Sequence, residues 1–124
     1  MTRRTPDTRR DAERRGQRAE RHAALLLRLK GFRVLARRYR SPVGEIDIVA
    51  RRAGLLLAVE VKARGDLATA AHAIDPRQQA RIARATDHFL AANPSYASDR
   101  IRFDAILAAP GRLPRHIPDA WRIE

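Results

Sequence analysis

The sequence contains no cysteine. That absence excludes disulfides, thiolate metal sites and cysteine nucleophiles. Lysine is nearly missing as well: of 26 Lys plus Arg residues, only Lys30 and Lys62 are lysine. No stretch approaches the roughly 18 consecutive apolar residues of a membrane-spanning helix. The basic N-terminus has no apolar segment behind it, so it does not read as a secretory signal. A cytoplasmic protein with no membrane role is the simplest expectation. Acidic residues are also in short supply, 14 against 26 basic ones, which leaves a formal net charge of +12. A field of that sign favours polyanions, nucleic acid ahead of an anionic membrane surface.

What is present is enough for one domain of 124 residues with a modest core; 44% of the chain is hydrophobic, much of it alanine. Residues 1–10 read as a basic, disordered arm, and residues 11–124 as the single domain. From Asp11 to Lys30 the residues Ala12, Ala19, Ala23, Leu26 and Leu27 recur at helical spacing, and Gly31 is a stop signal. Glu20 precedes Ala23, Ala24 and Leu27 by three, four and seven positions, so it lies on or beside the apolar face of that helix. Strands follow at Phe32–Arg40, Gly44–Arg52 and Leu55–Arg64, the last two joined at a turn over Arg51–Gly54. Gly65–Ala73 reads as a loop and Pro76–Asn93 as a second helix. Ile101–Ala109 reads as a fourth strand buried on both faces. The proline-rich tail is expected to be irregular before a short terminal element. The crossover through the second helix implies a parallel strand pair. The fold class is therefore α/β: a mixed sheet, an antiparallel hairpin plus a parallel strand, flanked by helices.

The hairpin carries the residues that packing does not explain. Pairing Ala50 with Leu55 would set Glu45 opposite Glu60 and Asp47 opposite Ala58. Any register of that parity keeps Glu45, Asp47, Glu60 and Lys62 on one face, with Val59 and Val61 on the other. Carboxylates on adjacent strands beside a lysine suit a hard divalent cation such as Mg²⁺, which takes one or two protein carboxylates. A lysine there can change its protonation when desolvated, whereas arginine is a poor proton acceptor. That difference gives Lys62 a chemical reason to be lysine in an arginine-using chain.

The stretch "GEIDIVA", twelve residues between Asp47 and Glu60, and then "EVK", resembles the D-x(n)-E-x-K core of the restriction-endonuclease-like superfamily. With "GQRAERHAALLLRLKGFRVLARRYR" upstream and "RFDAIL" downstream, the chain resembles the YraN-like family over roughly residues 13–121. It is also similar to archaeal Holliday junction resolvases. The resemblance implies a restriction-endonuclease-like fold and a Mg²⁺- or Mn²⁺-dependent endonuclease acting on nucleic acid, DNA first and branched DNA among the substrates. A two-fold dimer would fit junction substrates. Asp47 and Glu60 would be metal ligands, with the Val61 carbonyl as a third. Lys62 would be the base or transition-state stabiliser, and Glu20 would complete the site. Gln78 stands where the family generally has lysine; phosphate contact there would be weaker, or Arg77 or Arg81 would substitute, and Gln78 and Arg64 are counted with them as nucleic-acid candidates. The alternative is a binding module that keeps the fold without turnover.

Other residues carry plainer expectations. Glu45 should pair with an arginine or lie at the edge of the site. Asp104 should bond an arginine or a backbone group inside its apolar strand. His22, His72, His88 and His116 lack metal-ligand spacing and read as surface or boundary residues. Trp121, the one tryptophan, reads as a packing anchor.

Overall fold

A computed structural model describes residues 6–63, 74–109 and 111–122. The order is α1 (Pro6–Leu29), β1 (Arg33–Ser41), β2 (Gly44–Arg52), β3 (Leu55–Ala63), α2 (Pro76–Ala92), a 3₁₀ turn (Pro94–Tyr96), β4 (Arg100–Ala108) and β5 (Arg115–Trp121). The five strands form one sheet in the order β1-β2-β3-β4-β5. β3 and β4 are parallel, and every other neighbouring pair is antiparallel. This is the mixed α/β sheet expected from the pattern, and it is compatible with the restriction-endonuclease-like architecture.

Each face of the sheet takes one helix. On the α1 side, Ala23, Ala24 and Leu27 pack with Phe32, Ile48, Leu57, Val59 and Ile106. On the α2 side, Ile82, Ala85 and Phe89 pack with Ile46, Val49, Leu56, Ala58 and Leu107. β3 is therefore buried on both faces, as β4 was expected to be. Each fully buried Leu or Ile here contributes about 2 kcal/mol of transfer free energy. The helix ends are set locally. Gly31, at φ +87°, follows α1; its N–H donates to the Arg28 carbonyl and that of Phe32 to the Leu27 carbonyl. This is the Schellman arrangement, closed by the contact of Phe32 with Leu27 in the same core. Asp75 caps α2 by accepting the Gln78 N–H at 2.8 Å, with Pro76 in the first turn.

Three expectations need correction. α1 begins at Pro6, so residues 6–10, assigned to the arm, form its first turns; residues 1–5 lie outside the described residues. The tail is not irregular: residues 115–121 form an edge strand despite Pro118. That strand bulges opposite Asp104, where the register shifts and Asp119 takes φ +52°. The β2–β3 turn has two residues, not four. Ala53 and Gly54 both have positive φ, +48° and +80°. This is the type I′ geometry that matches the twist of a hairpin. It pairs Arg52 with Leu55 and Ile48 with Val59, a shift of two positions from the expected register. The parity survives, and Asp47 now falls opposite Glu60.

Candidate functional site

The β2–β3 ladder stops at Ile48–Val59. Beyond it the Asp47 carboxylate replaces a backbone partner: Oδ2 accepts the Val61 N–H at 2.8 Å. The strands are thus held together by a side chain at the point where Glu60 and Lys62 emerge. Lys62 Nζ lies 3.1 Å from Glu60 Oε1, and the two side chains are only 14% and 8% exposed. From above, Gln78 in the first turn of α2 donates its Nε2 to the same Glu60 oxygen at 2.6 Å. Gly44 permits this approach. A Cβ there would collide with the Arg81 carbonyl oxygen, so only glycine lets α2 lie so close over the start of β2. Glu45, Asp47, Glu60, Asp75, Arg77, Gln78 and Arg81 line a cavity of about 370 Å³.

Burial and crowding set the electrostatics. The Glu60 carboxyl is pushed up to about 8, first by burial and then by the charge of Asp47, with Lys62 pulling the other way. Asp47 is also raised, chiefly by burial; the Val61 N–H and its contact with Glu60 oppose the shift, and the charges of Glu20 and Glu45 add to it. Two carboxyls in one desolvated place cannot both ionise cheaply. At neutral pH the site therefore keeps a proton that a bound cation could replace.

The structure brings Asp47, Glu60, Lys62 and Gln78 together, and Arg77 and Arg81 line the same cavity. Gln78, expected to meet phosphate, is engaged with Glu60. Glu20 is buried on α1, where its Oε2 accepts from Arg38 Nε at 2.9 Å, and its Oε1 lies 3.3 Å from Arg37 Nε. Arg38 holds a left-handed backbone, φ +52°. Glu20 is near enough to raise Asp47, but among the described residues no three carboxylates or imidazoles converge on one point. Arg64 and His72 lie outside the described residues. Glu45 pairs loosely with Arg40 at 3.9 Å, both well exposed, a contact worth little. Trp121 is buried and stacks on Phe103 with centroids 5.5 Å apart.

Sequence reasoning missed His116. It lies at the boundary rather than on the surface, with a side chain only 3% exposed, and Nε2 lies 2.7 Å from Asp104 Oδ2. Asp104 also accepts a two-pronged contact from Arg102, 2.9 Å on each oxygen, and the Asp119 N–H at 2.9 Å. No motif spacing could have found it, because its partners lie on other elements. The one available signal was Asp104 itself, a carboxylate in an apolar strand that demanded donors.

The family described as "Uncharacterised protein family UPF0102" matches residues 19–108. A UPF0102 protein of Parvibaculum lavamentivorans is 56% identical over 111 residues, covering 90% of this chain and 84% of its own length. One from Rhodopseudomonas palustris strain HaA2 is 55% identical over 103 residues, covering 83% and 80%. One from Bradyrhizobium diazoefficiens is 57% identical over 110 residues, covering 89% and 83%. The matched segment contains Glu20, Asp47, Glu60, Lys62 and Gln78.

Proposed function

The chain belongs to the UPF0102 family, the YraN-like family of the sequence resemblance, and we propose that it is a divalent-metal-dependent endonuclease acting on DNA. The observation that carries this reading is the meeting of Asp47, Glu60 and Lys62 at the splayed end of the hairpin, under Gln78. Asp47 and Glu60 would hold Mg²⁺ or Mn²⁺, with the Val61 carbonyl as a further oxygen. The donor set fits: it is all oxygen, and two carboxylates are what Mg²⁺ takes when water and phosphate fill the rest. When bound, the metal would polarise the phosphoryl group and acidify water.

The remaining roles fall to the chain. Lys62 would neutralise charge on the attacked phosphate, or accept a proton there. Gln78 fixes the Glu60 carboxyl. Arg77 and Arg81 meet the phosphate backbone, a contact that makes binding salt-sensitive. Glu20 would join only by leaving Arg37 and Arg38. Branched DNA would be among the substrates, met by a two-fold dimer. Cleavage of single-stranded, duplex, flapped and four-way DNA, and of RNA, with Mg²⁺ or Mn²⁺ tests it. Activity lost in Lys62→Ala supports the reading, and equal inactivity of wild type and Lys62→Ala across the panel defeats it.

A second reading rests on the same contacts. Glu60 is already engaged by Gln78 and Lys62, and Glu20 by two arginines. Those contacts suit a binding module that keeps the fold without turnover. That reading expects salt-sensitive nucleic-acid binding to survive Asp47→Ala and Glu60→Ala; loss of binding without any metal present would count against it.

A further inference from the structure

The other lysine, Lys30, has its own constellation, on the other side of the sheet. Asp104 lies opposite Val59, and His116 opposite Ile106. Val59 and Ile106 belong to the core beneath α1, whereas Glu60 faces α2. The two sites are therefore separated by the sheet itself. At the end of α1, Lys30 Nζ lies 2.8 Å from His116 Nδ1. His116 Nε2 lies 2.7 Å from Asp104 Oδ2. The donors can be assigned by elimination. An ionised carboxylate only accepts and an ammonium only donates, so Nε2 carries the hydrogen and Nδ1 is the acceptor. The imidazole is held from both sides and its side chain is nearly shut off from water, while Lys30 is exposed.

A nucleophile within hydrogen-bond reach of a base, with the base oriented by a third group, is the general arrangement of an activated nucleophile. We infer that Lys30 is a reactive amine, a site of acylation by anionic acyl donors of the acyl phosphate class, with His116 as its general base and Asp104 as the group that orients the base. The Lys30 ammonium passes one proton to His116 Nδ1, and its lone pair attacks the acyl carbon. The bond from that carbon to the phosphate oxygen breaks, and its electrons leave on phosphate. The second proton goes from the new amide nitrogen to the departing phosphate, and His116 returns its own to water. Arg102 shares Asp104, so the carboxylate aims the imidazole more than it drives proton uptake. Arg52 donates to the main-chain carbonyl of Lys30 at 2.5 Å, so a guanidinium is held against the same residue, in a chain whose net charge of +12 favours an anionic donor. Acylation removes one positive charge and leaves an amide N–H that can still face Nδ1.

Lys62 gives an internal comparison, since it is buried against Glu60 on the opposite face. The full-length protein is incubated with acetyl phosphate, and acetylation at Lys30 and Lys62 is followed by mass spectrometry. The same chain unfolded in urea gives the intrinsic rate at each lysine. General-base assistance is worth roughly 10²–10⁴-fold in favourable cases; a native Lys30 rate at least ~10-fold above its unfolded rate is expected here. His116→Gln should return it to the unfolded rate. A native rate no faster than the unfolded one overturns the inference, as does an unchanged rate in folded His116→Gln. If that variant fails to fold, the native-against-unfolded comparison in wild type decides alone. Neither result bears on the Asp47–Glu60 site.

Discussion

Replacing Glu60 by glutamine should stabilise the protein, and increasingly so as the pH rises. In the folded chain this carboxyl sits at about 8 against an ordinary value of 4.5. Between those values the folded state binds a proton that the unfolded state has released. Stability contributed by a raised pKa is present at low pH and lost as pH climbs toward the folded value. The full displacement corresponds to about 5 kcal/mol at roughly 1.4 kcal/mol per pH unit. About 3 kcal/mol of that falls between pH 5 and pH 8. Glutamine keeps the size and removes the ionisation. Wild type and Glu60→Gln should therefore have similar urea midpoints at pH 5 and separate by pH 8, with the variant ahead by about 2 M at a slope of about 1.5 kcal/mol per M. Asp47 shifts in the same direction, so the difference between the two proteins is the quantity to read. Midpoints that stay parallel from pH 5 to pH 8 would refute both the burial and the crowding from which the number is built. A variant that loses ground as pH rises would refute the sign.

Other outcomes follow from the same contacts. Mn²⁺ binding measured calorimetrically in buffers of different ionisation enthalpy should release a proton and tighten as pH approaches 8; affinity flat from pH 6 to 8 would dissociate the cation from Glu60. Gly44→Ala should cost about 1–3 kcal/mol, because the added methyl meets the Arg81 backbone rather than a movable side chain; an unchanged thermal midpoint would remove that contact. Asp104→Asn should cost about 3 kcal/mol by leaving Arg102 without a full partner, read from urea midpoints at pH 7. Burial works to raise Asp104, yet His116, Arg102 and the Asp119 N–H together hold it at about 2. Its contribution should therefore persist down to about pH 4 and disappear toward pH 2, and a variant deficit that persists at pH 2 would contradict it. Ala53→Asn should gain about 0.5–1 kcal/mol, since asparagine tolerates the left-handed backbone that alanine is forced to adopt; a lower midpoint would argue against the type I′ turn.

The face shared by Asp47, Glu60 and Lys62 was legible because strand periodicity is rigid: every second residue must point the same way. The register within that face was not. It depended on a turn with alanine at a positive φ, a conformation that residue preference argues against, so the four-residue turn looked more natural. The burial of Glu20 followed from helical phase, but its partners did not; Arg37 and Arg38 come from a strand in which one residue is left-handed. Residues 6–10 hid behind their charge, although a Thr-Pro pair at 5 and 6 is a helix-start signal. β5 hid behind Pro118, which an edge strand tolerates. Gln78 could be assigned to a helix start but not to Glu60, since nothing local links α2 to β3. The dyad of Asp104 and His116 spans a bulge whose extra residues break any fixed spacing.

Surface turns ordinarily absorb insertions and deletions at little cost. The Ala53–Gly54 turn has no such freedom, because its length is the gauge that decides which acidic residue stands across from Glu60. One residue added or removed would turn a whole strand face over and send Glu60 and Lys62 to the α1 side. Two residues would keep the face but bring Glu45, or a position beyond Asp47, to the meeting point. In this fold the constraint on the site is thus written as a count of residues at the far end of the hairpin, some five strand positions away from any group it serves.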